Sequence, residues 1–181
     1  MAKPTFERVT LDTGVLLGAR NREFLAAADL GYFRGYWSVW IAAEFVRVRT
    51  EWIAQRASRD LASPVDMEAR LERSRGKVNV EVAILARLLT LVDYLSAAGV
   101  DLGWLTDEDD RPIMQTALAA GIPGTLVTDN WRDFPLGEVR HGVLLLGSVP
   151  FLEALYRTYP EAPTAITAYL GRGRSCGEPS D

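Results

Sequence analysis

Apolar residues in this chain fall into short dense runs punctuated by glycine, aspartate and arginine, and the runs alternate between strand-like and helix-like spacing. Residues 8–11 lead into Asp12-Thr13-Gly14 and then Val15-Leu16-Leu17, which predicts a buried strand whose end carries a carboxylate and a small-residue turn. Phe24, Leu25, Ala28 and Leu30 cluster at helical spacing over 22–31, with Gly31 as the stop. The aromatic stretch GYWSV at 35–39 predicts a second strand, and Ser38 is placed to cap a helix that runs through Trp52 and carries Glu44. Residues 64–99 predict two helices with a break around 76–79, the second striped by Val82, Leu85, Leu89 and Val92. Alternation over 100–105 predicts a short strand. Pro112 then opens a helix that Gly121 ends. Further strands are predicted at 124–128, followed by Asp129, and at 143–146; residues 151–156 begin a terminal helix.

Strands alternating with helices predict an α/β fold: a three-layer sandwich with a mainly parallel central sheet covered on both faces, plus an inserted helix pair. Residues 1–170 are expected to form one domain, with a helical arm at about 60–99 and a flexible tail at 171–181. A chain of 181 residues, 48% hydrophobic, supplies one full core. In such a sheet the ligand site lies beyond the carboxyl ends of the strands, where the winding direction reverses. Asp12 and Asp129 both fall at predicted strand ends.

The N-terminal sequence lacks a signal-like apolar stretch and no later run is long enough to cross a bilayer, so a cytoplasmic protein with no membrane partner is expected. Cys176 and His141 are the only residues of their kinds, which argues against a disulfide, a sulfur-rich zinc site and a Ser/His or Cys/His couple. Acidic chemistry gains by exclusion. The formal net charge of −4 argues against coating of nucleic acid by the whole surface. Arg47, Arg49, Arg56, Arg59, Arg70, Arg73, Arg75 and Lys77 form a local basic enrichment, which Glu51, Asp60, Glu68 and Glu72 balance in the manner of a solvated helix face.

Asp12, Glu44, Asp110, Asp129 and Asp133 each sit at the edge of an apolar segment. Two like charges about 4 Å apart cost roughly 4 kcal/mol at an effective dielectric near 20, so a fold that gathers them calls for a divalent cation with oxygen ligands. Each acid also has a local explanation. Asp12 could close an Asx turn, Arg47 could pair with Glu44, and Asp110 could cap the proline-started helix. A turn or cap would serve Asp129 and Asp133 equally well, and Asp107 and Asp109 read as solvated loop acids.

The order and context of these acids resemble the PIN-domain family of metal-dependent ribonucleases, which includes the VapC-type toxins. The matching pieces are VTLDTGVLL with Asp12, SVWIAAEFVR with Glu44, DDRPIMQTALAAG with Asp110 and GTLVTDNWRDFP with Asp129 and Asp133, spanning residues 9–135. The resemblance implies a PIN-like domain in which Asp12, Glu44 and Asp110 bind Mg²⁺ or Mn²⁺ and hydrolyse RNA phosphodiesters. The fourth acid stays open between Asp129 and Asp133. Asn130 stands where the family commonly has aspartate after a threonine and one variable residue, whereas a subgroup with asparagine followed by Asp-Phe-Pro favours Asp133. Gly14 replaces a frequent asparagine or serine. An antitoxin protein filling the cleft and a homodimeric partner are further implications, and a catalytically silent PIN-like RNA- or protein-binding module is the alternative. An aspartate-dependent phosphotransfer domain would need a lysine near the site, yet Lys3 and Lys77 lie outside the strand-end motifs.

Overall fold

Strand β1 (Val9–Leu11) runs near the middle of a six-stranded sheet in the computed structural model, which describes residues 6–57 and 64–172. Its companions are β2 (Gly35–Ser38), β3 (Leu89–Val92), β4 (Gly124–Val127), β5 (Val139–Arg140) and β6 (Val143–Leu146), in the order β3-β2-β1-β4-β6-β5. All neighbours pair parallel except β5, which is antiparallel to β6. Strands β1, β2, β4 and β6 are buried along their whole length. Sequences such as VTL and VLLL, without a polar face, are what two covered faces demand.

The helices are α1 (Thr13–Leu17), α2 (Asn21–Asp29), α3 (Val39–Ala57), α4 (Pro64–Leu88), α5 (Arg111–Ala120), α6 (Ser148–Thr158) and α7 (Ala162–Arg172). The chain steps from β1 to β2 to β3 in one direction and then returns past both to β4. Right-handed crossovers therefore carry α5 to the face opposite the earlier helices, and α5 touches β1 through β4. Phe24 of α2 stacks on Phe151 of α6 at 5.6 Å, which returns the C-terminal helices to the first face. The molecule is thus α/β with a mixed, mostly parallel sheet, in an arrangement consistent with three layers.

Several sequence expectations are corrected. Residues 13–17 form a helix, not a turn. The segment after Pro64 is one helix of 25 residues that passes through Gly76. A mid-helix glycine costs about 1 kcal/mol, and buried Ser74, Val78 and Leu85 continue one face across it. The expected second helix ends at Leu88, because Leu89–Val92 pairs in register with β2, Trp37 opposite Leu91. Gly35 permits this approach, since a Cβ there would meet Leu89 Cδ2 at 2.4 Å. The predicted inserted pair is therefore not an insertion. The helical hairpin is α3 with α4, clasped by Arg49, whose Nε and Nη2 each lie 2.8 Å from Glu81, and it forms the β2-to-β3 crossover.

Residues 100–105 form no strand. Leu102 and Leu105 are buried as the alternation implied, but Asp101 Oδ1 accepts the Gly103 N–H at 2.9 Å and turns the backbone away from sheet pairing. Strand β5 and helix α7 were not foreseen. Helix α7 reaches Arg172 and overlaps the start of the predicted tail; the remainder of that tail, with Cys176, lies outside the described residues, as do Arg59 and Asp60. No helix among the described residues is long and apolar enough to cross a membrane.

Candidate metal centre

The winding direction reverses between β1 and β4, and the register Leu11 opposite Val127 sets Asp12 beside Thr128 just past the strand ends. The Asp12 N–H donates to Val127 O at 3.1 Å. Thr128 Oγ1 donates to Asp12 Oδ2 at 2.6 Å. Asp12 is 6% exposed, and burial pushes its carboxyl up to about 6 despite the Thr128 hydroxyl and the Thr13 backbone N–H, with Glu44 and Asp129 adding to the rise. A merely local turn would not leave an acid in that state.

Glu44 lies in α3 and accepts a 2.7 Å hydrogen bond from Thr13 Oγ1, tying α1 to α3. Arg47, the candidate local partner, pairs instead with Glu51 at 3.8 Å. Asp110 sits at the N-cap position of α5 but its side chain makes no capping hydrogen bond. Its Oδ2 accepts from Asn130 Nδ2 at 3.0 Å. Burial pushes Asp110 up to about 7, and the charges acting on it most strongly are all carboxylates: Asp133 first, then Asp12, Asp107 and Glu44. The local explanations for Glu44 and Asp110 therefore fail, and negative charge meets at one place.

The two candidates for the fourth acid are separated by their surroundings. Asp129 is held by α6, its Oδ1 accepting the Ser148 N–H and its Oδ2 the Ser148 hydroxyl, both at 2.8 Å, while its charge still acts on Asp12. It lines a small cavity with Ser148 and Gly18, whereas Glu44 and Asp110 line a cleft of about 550 Å³ with Trp40 and Arg47. Asp133 is the strongest charge acting on Asp110. Asp107 is exposed and caps the short turn before α5 through the Asp109 N–H at 2.9 Å.

Sequence reasoning about the acids passed over the polar residues that brace them. Thr128 Oγ1 also accepts the Asn130 N–H at 3.1 Å, so a continuous path runs from Asp12 through Thr128 and Asn130 to Asp110. Strand alignment was the available signal, because a residue directly after β4 must lie beside one directly after β1. Gly14 leaves room over Asp12, where a Cβ would sit 3.8 Å from Oδ2.

The donor set is wholly oxygen, which suits a hard cation such as Mg²⁺ or Mn²⁺. Among the described residues, no three acidic, histidine or cysteine side chains stand close enough together to hold a metal ion between them. The arrangement fits an ion that keeps several of its waters and is held by one or two carboxylates, the usual habit of Mg²⁺. A larger cavity of about 800 Å³ opens at the other end of the sheet, between Phe6, Arg34 and Tyr159. The acids lie at the carboxyl ends, where parallel sheets place their chemistry. Comparison with family models, curated proteins and solved structures finds no match.

Proposed function

We propose that this chain is a PIN-like, metal-dependent endoribonuclease whose carboxylate cluster comprises Asp12, Glu44, Asp110 and Asp133. The observation that carries the reading is the raised pKa of both Asp12 and Asp110, caused by burial and by neighbouring carboxylates at the switch point of a parallel sheet. Such shifts gather where charge is held for a purpose. The sequence motifs that resemble the PIN family fall on these same residues.

When bound, Mg²⁺ or Mn²⁺ would neutralise the cluster, lower the pKa of a water and polarise a phosphodiester. The chain's own part is orientation. Thr128 and the Thr13 backbone N–H hold the carboxyl of Asp12, Thr13 Oγ1 fixes one oxygen of Glu44 and Asn130 fixes one of Asp110, so the carboxylates are oriented before any ligand or bridging water arrives. Arg47 stands on the same cleft as Glu44 and can hold a backbone phosphate beside the acids. Hydrolysis adds water across the P–O bond, leaving one phosphate-ended and one hydroxyl-ended fragment. The test is cleavage of single-stranded RNA by the purified chain with Mn²⁺: activity lost in Asp12→Asn supports the reading, and robust cleavage by that variant removes Asp12 from the mechanism.

A second reading, a catalytically silent PIN-like module that binds RNA or protein, is favoured by the spacing of the acids, no three of which, among the described residues, stand close enough to hold an ion between them. Calorimetry with Mg²⁺ and Mn²⁺ separates the two, since a silent module needs no ion. If the chain is a toxin, its antitoxin would place an arginine among the carboxylates. A small neighbouring reading frame would support that pairing and a cytoplasmic location. Pairing of two copies through Trp52 or Tyr94 belongs to the same reading and is checked by sedimentation.

A further inference from the structure

Carboxylates repel a phosphate backbone, so whatever draws RNA to this cleft has to act from beside the acids. Two tryptophans are placed to do so. Trp131 is 70% exposed, an unusual position for so large an apolar ring. It stands in the turn at 130–133, whose ends Asn130 and Asp133 both act on Asp110. The Arg132 guanidinium lies over its ring, 5.6 Å from the centroid, making a flat platform with a positive charge attached. Trp40, 36% exposed at the start of α3, lines the cleft with Glu44 and Asp110 and is steadied edge-on by Tyr94 at 6.4 Å.

Resting on the reading that RNA is the substrate, we propose that Trp131 and Trp40 are base-stacking residues that confine the site to single-stranded nucleic acid. Stacking on an indole requires a free base face, which a duplex does not offer. It is also indifferent to the negative field of the cluster. Arg132 and Arg47 then take the adjoining phosphates, and the scissile bond is brought to the carboxylates by contacts that the carboxylates do not oppose.

The experiment uses the full chain and a short labelled RNA, as a single strand and as a duplex, with EDTA present so that the proposed metal-dependent hydrolysis cannot run, and binding read by anisotropy. Trp131→Ala and Trp40→Ala are each expected to weaken single-strand binding by about tenfold, while Trp131→Phe, which keeps a stacking face, stays within about threefold of wild type. Duplex binding is expected to be weaker than single-strand binding by more than about tenfold. Alanine variants that bind like wild type, or a duplex that binds equally well, overturn the proposal. So does a Trp131→Ala variant whose only change is a shift from dimer to monomer in sedimentation, which would make the ring a protein contact. Cleavage assays on natural RNA run alongside keep the two ideas apart: tryptophan-dependent binding without cleavage sinks the nuclease reading alone, and cleavage untouched by either alanine variant sinks the stacking alone.

Discussion

Thr128 and Asp12 are joined by a 2.6 Å hydrogen bond across the junction of β1 and β4, and through Asn130 the same threonine reaches Asp110. One hydroxyl thus sets the spacing of two buried acids that would otherwise repel each other.

Replacing Thr128 by valine keeps the volume and removes the hydroxyl. The hydrogen bond lowers the Asp12 pKa, so its loss should lift that pKa above the present value of about 6, at a stability cost of about 1–2 kcal/mol at neutral pH. Carbon-detected NMR titration and urea unfolding give both quantities. Thr128→Ser should restore them, and a valine variant with an unchanged Asp12 titration would show that the bond does not hold the acid.

Metal-free stability should fall as pH rises. The folded-state pKa values of Asp12 and Asp110, about 6 and about 7, lie above the ordinary 3.8, so the folded chain keeps protons that the unfolded chain has released. The contribution of these groups is therefore full below about pH 4 and is lost as pH rises through about 7. Asp12→Asn should flatten part of this slope and raise Tm at pH 7.5 by roughly 3 °C. Added Mn²⁺ should raise the wild-type Tm at that pH and leave the variant nearly unmoved. Calorimetric scans without metal at successive pH values, showing no fall, would contradict the burial of these charges.

Asp129 and Asp133 should behave oppositely. Asp129→Ala removes the acceptors of the Ser148 N–H and hydroxyl, so it should cost about 1 kcal/mol of stability and leave cleavage within about twofold. Asp133→Asn should lower the Asp110 pKa and reduce Mn²⁺ affinity by about tenfold. The reverse pattern in paired melting and calorimetry experiments would make Asp129 the fourth ligand.

Arg49→Met should weaken the α3–α4 hairpin only slightly. Both partners of the Arg49–Glu81 bridge are about a third exposed, at 32% and 35%, so solvent screening limits the loss to about 0.5–1 kcal/mol. RNA cleavage should be unchanged. A large drop in cleavage would place Arg49 in contact with substrate.

Strands β1, β2, β4 and β6 were legible, and so was the placement of Asp12 just past a strand end, because dense apolar runs such as VTL and VLLL read as buried strands. The α4-to-β3 boundary was not. Val82, Leu85, Leu89 and Val92 read as one helical stripe, and only pairing with β2 converts the last four residues of that stretch to strand. The hydrogen bonds that Asp129 makes were equally closed to sequence reasoning, because their partner, Ser148, lies 19 positions away along the chain. Short polar residues such as Thr128 and Asn130 look like ordinary turn formers until their partners are in view.

Tyr169 donates to Asp29, and Tyr156 donates to Glu23 at 3.0 Å, contacts that close 140 and 133 residues of chain respectively. During synthesis the ribosome delivers α2 long before α6 and α7. Phe24 consequently has no Phe151 to rest on until α6 has emerged, and the nascent polypeptide must shelter that ring by other means while it waits.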